Sequence, residues 1–211
     1  MITRGLASFC LAVMGMLPAI SPAQAQEKNE IGLVIGATIT PQRTLAAGGT
    51  NLNFKPALSL GAEYDRRVFE RTGLAISFGG DFLASPLDVK LENPPSTVSR
   101  QYAFLFLTPH VRVKFGPGNA VQPWLLFGGG YARFLEAKPP ADPSFVPGTN
   151  TGALLFGGGA DTQSVVQLLR IPIGFRAEVR DFYSGSPRFG QPVRGGLQHN
   201  VVFTAGLLFK F

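Results

Sequence analysis

The sequence predicts an all-β protein, an eight-stranded antiparallel up-and-down transmembrane β-barrel, and three observations predict it. Segments that alternate with period two, each with one apolar face, recur along the chain, and nothing in the predicted mature chain approaches the roughly 20 apolar residues of a spanning helix. The connections alternate between long and short. The segment Asn200–Phe211, NVVFTAGLLFKF, puts Val201, Phe203, Ala205, Leu207, Phe209 and Phe211 on one wholly apolar face. No predicted helix is available to cover that face, which leaves lipid to do so.

Composition agrees. The chain has 45% hydrophobic and 15% charged residues, with 26 Gly and 18 Phe, which suits short strands punctuated by Gly and Pro. Its net charge of +6 comes from basic residues scattered singly. No run of them could track a phosphate backbone, so nucleic-acid binding is not expected. Met1–Arg4 is a basic leader, Leu6–Leu17 an apolar run and Pro22–Ala25 a small-x-small cleavage site. Residues 1–25 therefore read as a secretory signal peptide and 26–211 as the barrel domain. The only cysteine, Cys10, falls in the removed segment and follows Phe9, where a lipoprotein signal needs a small residue. A disulfide scaffold is excluded.

The strands follow in order. Ile31–Ile39 is the first, with Ile31, Leu33, Ile35, Ala37 and Ile39 on its apolar face. After the polar loop Thr40–Asn53, Phe54–Asp65 sets Leu58, Leu60, Ala62 and Tyr64 against Glu63 and Asp65. The short connection Arg66–Arg71 leads to Thr72–Leu83, with Asp81 on the polar face. Ala84–Ser99 carries Pro86, Pro94 and Pro95 and is expected to be a loop. In Tyr102–Phe115, Val111 and Val113 oppose His110, Arg112 and Lys114. The turn Gly116–Asn119 precedes Gln122–Leu135, a second Pro-rich loop covers Glu136–Thr151, and Gly152–Asp161 is the sixth strand.

The fifth and sixth strands share LLFGGG, at Leu125–Gly130 and Leu154–Gly159. Neither copy completes a phosphate-binding G-x-G-x-x-G, because Arg133 and Thr162 stand at the third glycine, so close packing and curvature explain the glycines. The seventh strand ends at Tyr183 and sets Arg176, Glu178 and Arg180, with Arg170 before them, on one face. The Gly- and Pro-rich loop Ser184–His199, with Arg188 and Arg194, leads to the eighth.

An eight-stranded barrel has an interior just wide enough to be filled by side chains. The alternation sends Lys55, Glu63, Asp65, Asp81, Arg112, Lys114, Arg176, Glu178, Arg180 and Lys210 inward, with Phe104, Phe106 and Leu208 adding bulk. Charges of both signs are expected to pair there and plug the lumen, in one layer near Glu63, Asp65, Arg112 and Lys114 and another near Asp81, Glu178 and Arg180. Tyr64, Tyr102, Phe115, Trp124, Tyr131 and Tyr183, near strand ends, suit interfacial girdles.

Thr204, Gly206, Phe209 and Phe211 resemble the terminal signal by which the barrel-assembly machinery recognises its clients. With the strand pattern, they make the chain resemble the small outer-membrane barrels of the OmpA-like type, without a peptidoglycan-binding module. That resemblance implies an outer-membrane, lipid-embedded barrel with both termini periplasmic, expected to be a monomer. Such barrels include adhesins, structural proteins, narrow pores and lipid-modifying enzymes.

A non-enzymatic structural, adhesive or surface-binding role through the long loops is the expectation, with a narrow solute pore as the alternative. For enzyme chemistry, His199 with Asp181, Ser184 and Ser186 is the one conceivable set, and no Ser stands at a fixed strand spacing from it. His110 lies toward the opposite end. No cofactor or metal is expected, because His, Cys and carboxylates are not clustered. A soluble lipocalin-type barrel is the competing fold and would have its apolar faces inside.

Overall fold

A computed structural model describes residues 28–44, 51–93, 96–136, 148–169, 171–187 and 196–211. The predicted signal peptide, Pro94, Pro95, Arg170, Arg188, Arg194 and most of the loop Glu136–Thr151 lie outside the described residues.

Eight strands form the wall: β1 (Asn29–Ile39), β4 (Ala57–Arg71), β5 (Leu74–Asn93), β6 (Ser96–Phe115), β7 (Val121–Glu136), β8 (Thr149–Thr162), β10 (Ile171–Gly185) and β12 (Val201–Lys210). Each pairs antiparallel with the wall strand before and after it, and β12 returns to β1 from Glu30↔Lys210 to Ile39↔Val201. Over the span that all eight strands share, closure leaves no unpaired edge, so backbone donors and acceptors are satisfied inside the sheet. Among the described residues, four short strands sit at the ends: β2 (Arg43–Thr44), β3 (Asn51–Phe54), β9 (Val166–Leu168) and β11 (Leu197–Gln198).

Alternation decides which way each side chain points. Outward-facing Leu33, Ile35, Leu60, Phe78, Leu125, Phe127, Phe175 and Phe203 are between 47% and 64% exposed. The residues between them are buried and largely polar. An apolar belt around a closed wall would aggregate in water and is matched to a bilayer. The soluble lipocalin-type arrangement is thereby excluded, since it requires the opposite orientation.

The start of β1 meets the last residue: Asn29 and Phe211 exchange backbone hydrogen bonds, each 2.9 Å. The tight turns share this end. Thr72-Gly73 joins β4 to β5, with Gly73 at φ +85°, and Gly116 and Gly118 take positive φ in the β6–β7 turn. Glycine carries these φ values without a Cβ clash.

Several boundaries depart from the sequence reading. The charged connection Arg66–Arg71 is the end of β4, accommodated by an irregularity between Arg67 and Phe69. Ala84–Ser99 is a ladder: β5 and β6 stay paired from Leu74↔Phe115 to Asn93↔Ser96. Pro86 is tolerated there because β4 stops pairing at Ala84 and β3 begins only at Val89, which makes β5 an edge strand on that side. Phe54 belongs to β3 rather than to the second wall strand. Lys55, expected inside, is exposed in the link between β3 and β4. Trp124 and Tyr102 point inward, at 2% and 6% exposure, while Tyr64, Phe115 and Tyr131 remain on the outer surface.

Candidate functional site

The lumen has two zones. Toward the tight-turn end it holds charge. Toward the long-loop end it holds aromatic side chains: Phe104, Phe106, Phe134 and Phe182 are each at most 1% exposed. Phe104 and Phe134 meet edge-on at 4.6 Å and Phe106 stacks on Phe182 at 4.3 Å. Beside them, hydroxyls of Thr38, Ser59 and Ser85 form a short hydrogen-bonded row, with Thr38 and Ser59 2.5 Å apart.

In the charged zone the chain brings Glu63, Asp65, Asp81, Arg112, Lys114, Arg176, Glu178 and Arg180 together. Arg112 Nη2 donates to Glu63 Oε2 at 2.6 Å, and its Nη1 donates to Asp65 Oδ2. Arg176 Nη1 donates to the same Glu63 oxygen at 2.6 Å. Arg180 pairs with Asp81, with Glu178 at 2.8 Å and with Glu63 at 3.1 Å. The expected two layers are thus joined. Glu63 touches all three arginines, so a single network spans both levels.

Four members fall outside the sequence-derived set. Asp161 takes Arg176 in a fork, Nε to Oδ1 at 2.8 Å and Nη2 to Oδ2 at 2.9 Å, and lies 2.8 Å from Lys114 Nζ. Glu30 accepts from Lys114 at 2.8 Å. His110 Nε2 is 2.9 Å from Asp65 Oδ1. Trp124 Nε1 donates to Asp161 at 2.9 Å, and the Arg112 guanidinium lies 4.3 Å from its ring centroid. Strand parity marks Asp161 and Glu30 as inward. Trp124 carries no such mark, because both faces of its strand are apolar.

The duplicated LLFGGG segments explain how such large groups fit. In the β7–β8 ladder the two copies run antiparallel, so Leu125 and Leu126 of one oppose Gly158 and Gly157 of the other, with Phe127 opposite Phe156. A Cβ on inward Gly159 would lie 2.6 Å from the Trp124 ring, and one on inward Gly157 would lie 2.9 Å from Arg180 Cγ. Removing those β-carbons lets the indole and the guanidinium stem lie flat on the wall. Such close packing is worth more than the strand propensity lost at a glycine.

Arg112, Arg176, Arg180, Glu63, Asp65 and Asp81 are each no more than 2% exposed. Stripping one of these ions from its partner costs about 3–5 kcal/mol. A network in which most charges have two or more partners holds the staves in one register, because a slip of one residue would turn every inward charge toward lipid.

The terminal residues of the assembly-like pattern lie on β12 and just beyond it. Thr204 points inward and donates to Glu178 at 2.6 Å. Gly206 backs against the Leu33 carbonyl of β1, and Phe209 and Phe211 sit half-buried on the outward face. Lys210 is 7% exposed and donates to the Thr162 carbonyl at 3.2 Å.

At the outer rim His199 Nδ1 lies 2.5 Å from Asp181 Oδ2. Neither serine is hydrogen-bonded to it, Ser186 Oγ being buried without a partner among the described residues. Ser184 is fully buried on the inward face, where it donates to the Gly185 carbonyl and accepts from Asn200, whereas the His199 side chain is 53% exposed on the outward one.

A cavity of about 350 Å³ opens at the tight-turn end, lined among others by Glu30, Arg67, Glu70, Lys114, Gln122 and Lys210. Lys114 and Glu30 in its lining already belong to the network.

A closed antiparallel barrel of eight strands with an apolar belt and a filled polar interior defines a small transmembrane β-barrel of the outer-membrane class. Among solved structures it is similar to the outer membrane protein OprG from Pseudomonas aeruginosa, with TM-score 0.56, 15% identity, and 87% of this chain and 96% of that chain covered. It also aligns with Ail, the attachment invasion locus protein of Yersinia pestis, in complex with the heparin analogue sucrose octasulfate (TM-score 0.47, 13% identity, 87% and 99% covered). A further alignment is with the outer membrane protease OmpT from Escherichia coli (TM-score 0.45, 7% identity, 93% and 99% covered). At these identities the likeness to OprG is one of fold. No protein-family model and no curated protein matches the chain.

Proposed function

We propose that this outer-membrane barrel is a non-enzymatic, non-conducting scaffold that presents its long-loop end to a surface partner. The observation that carries this reading is the double closure of the lumen, by the Glu63-centred ion network and by the Phe104, Phe106, Phe134 and Phe182 cluster. In both zones the side chains that meet across the lumen are almost wholly buried against one another, and the cavity at the tight-turn end stops short of them in this reading. The β5–β6 hairpin supports the presenting role: it continues for nine residue pairs past the last contact with β4, about 30 Å of ladder at 3.3 Å per residue. Thr204, Gly206, Phe209 and Phe211 serve insertion through the barrel-assembly machinery in this reading, and the signal segment 1–25 serves export. Single-channel recording in a planar bilayer tests it. Silence at all voltages is expected, and a steady solute-sized conductance would overturn it in favour of a narrow pore.

A further inference from the structure

Outside the lumen, an ionisable cluster among the described residues has no part in the reading above: Asp181, Tyr183 and His199, which face outward where β10 meets the residues leading into β12. Alternation fixes their direction. Arg180 and Phe182 on one segment, and Gln198 and Asn200 on the other, point inward and are at most 1% exposed. Asp181 Oδ2 holds His199 Nδ1 at 2.5 Å, and Asp181 Oδ1 accepts the Asn200 backbone N–H at 3.1 Å. The Tyr183 ring packs 4.7 Å from the imidazole. Asp181 is only 13% exposed, while His199 is 53% exposed. With Nδ1 committed to Asp181, the atom left for a ligand is His199 Nε2.

The height of the cluster narrows what that ligand is. From Ile173, opposite Phe209 near the tight-turn end, to Asp181 opposite Val201, the ladder advances eight residues. At about 3.3 Å per residue and a tilt of roughly 40°, that is about 20 Å along the barrel axis, close to the far edge of an apolar band about 25 Å tall. Phe175, Val179 and Phe203 below it are 44% to 51% exposed and lie within the band. A carboxylate set deeper on that face would be expensive. That cost argues for a place at the edge of the band, where a half-exposed imidazole is within reach of lipid headgroups.

We infer that Asp181, Tyr183 and His199 form a headgroup site on the outside of the barrel for a lipid carrying a phosphomonoester. Such a group suits Nε2 in either protonation state, offering P–OH to a neutral ring and P–O⁻ to a charged one. Asp181 is the positioning residue that fixes the ring, and the Tyr183 ring sets the approach as an interfacial aromatic.

The chain has two histidines, and the second, His110, is buried in the lumen, so imidazole NMR carries an internal reference. The protein is refolded into phosphatidylcholine nanodiscs, and the ring Cε1–H signals are followed as phosphatidic acid replaces part of the lipid. The His199 signal should shift saturably while His110 stays still. Inorganic phosphate at the same nominal concentration should shift it at least about tenfold less, and Asp181→Asn should weaken the lipid response about fivefold or more. His199→Gln, which removes the exposed ring, identifies the signal. No shift with phosphatidic acid would overturn the inference, as would an Asp181→Asn response equal to that of the parent. Equal shifts with inorganic phosphate would reassign the site to soluble anions and overturn its lipid assignment.

Discussion

Truncating Arg176 to alanine should be among the most damaging single changes in the wall, and its cost can be worked from its partners. The side chain is fully buried and holds Asp161 through two hydrogen bonds, 2.8 and 2.9 Å, and Glu63 through a third, 2.6 Å. Arg176→Ala leaves two carboxylates short of a cation, and breaking a buried pair costs about 3–5 kcal/mol. Asp161 keeps Lys114 and Trp124, and Glu63 keeps Arg112 and Arg180. The expected loss therefore lies at the low end, about 3 kcal/mol.

Asp161→Asn retains shape while removing the charge-assisted bonds, at about 2 kcal/mol. The double variant should cost about 3–3.5 kcal/mol, because each change removes the other's penalty. Equilibrium urea unfolding in lipid vesicles measures all three. Losses that add to within about 0.5 kcal/mol would mean that the two groups do not interact, and the fork deduced from β8 and β10 would be wrong.

Arg112→Ala should cost about 3 kcal/mol by the same assay, and combining it with Glu63→Gln should cost less than the sum of the two. The single tryptophan, Trp124, should escape quenching by brominated lipids because it lies in the lumen at 2% exposure; strong quenching would return it to the lipid-facing girdle. Within the repeated motif, Gly159→Ala should lose about 2 kcal/mol, since its Cβ would meet the Ala177 carbonyl at 2.4 Å. Outward Gly129→Ala, whose nearest neighbour is 3.4 Å away, should change stability by no more than about 0.5 kcal/mol; equal losses would contradict the assigned faces. Deleting Phe211 should leave refolding in detergent nearly intact while reducing insertion in cells, and equal losses in both assays would rule out a targeting role.

The sequence by itself determined the fold class and much of the interior. Where a strand alternates apolar with polar, as at Leu60-Gly61-Ala62-Glu63-Tyr64-Asp65 or Arg112-Val113-Lys114-Phe115, the period of two leaves one arrangement that keeps charge out of lipid, and local pattern suffices. Where both faces are apolar, pattern is silent. Gln122–Leu135 offered no reason to prefer Trp124 inside, and only the neighbouring Gly159, with Asp161 and Arg112 across the ladder, puts it there. Prolines misled the reading of Ala84–Ser99, because the cost of a missing N–H depends on whether a neighbouring strand needs it. At Pro86 the neighbour on one side has already ended.

Which charges pair was likewise beyond the sequence. Alternation assigns Glu63, Arg112, Arg176 and Arg180 to the inside from three different strands, but their heights depend on the stagger between staves and on closure of β12 onto β1. Only the closed barrel brings the three guanidinium groups onto one carboxylate, so that the charges predicted to lie in two layers form a single network.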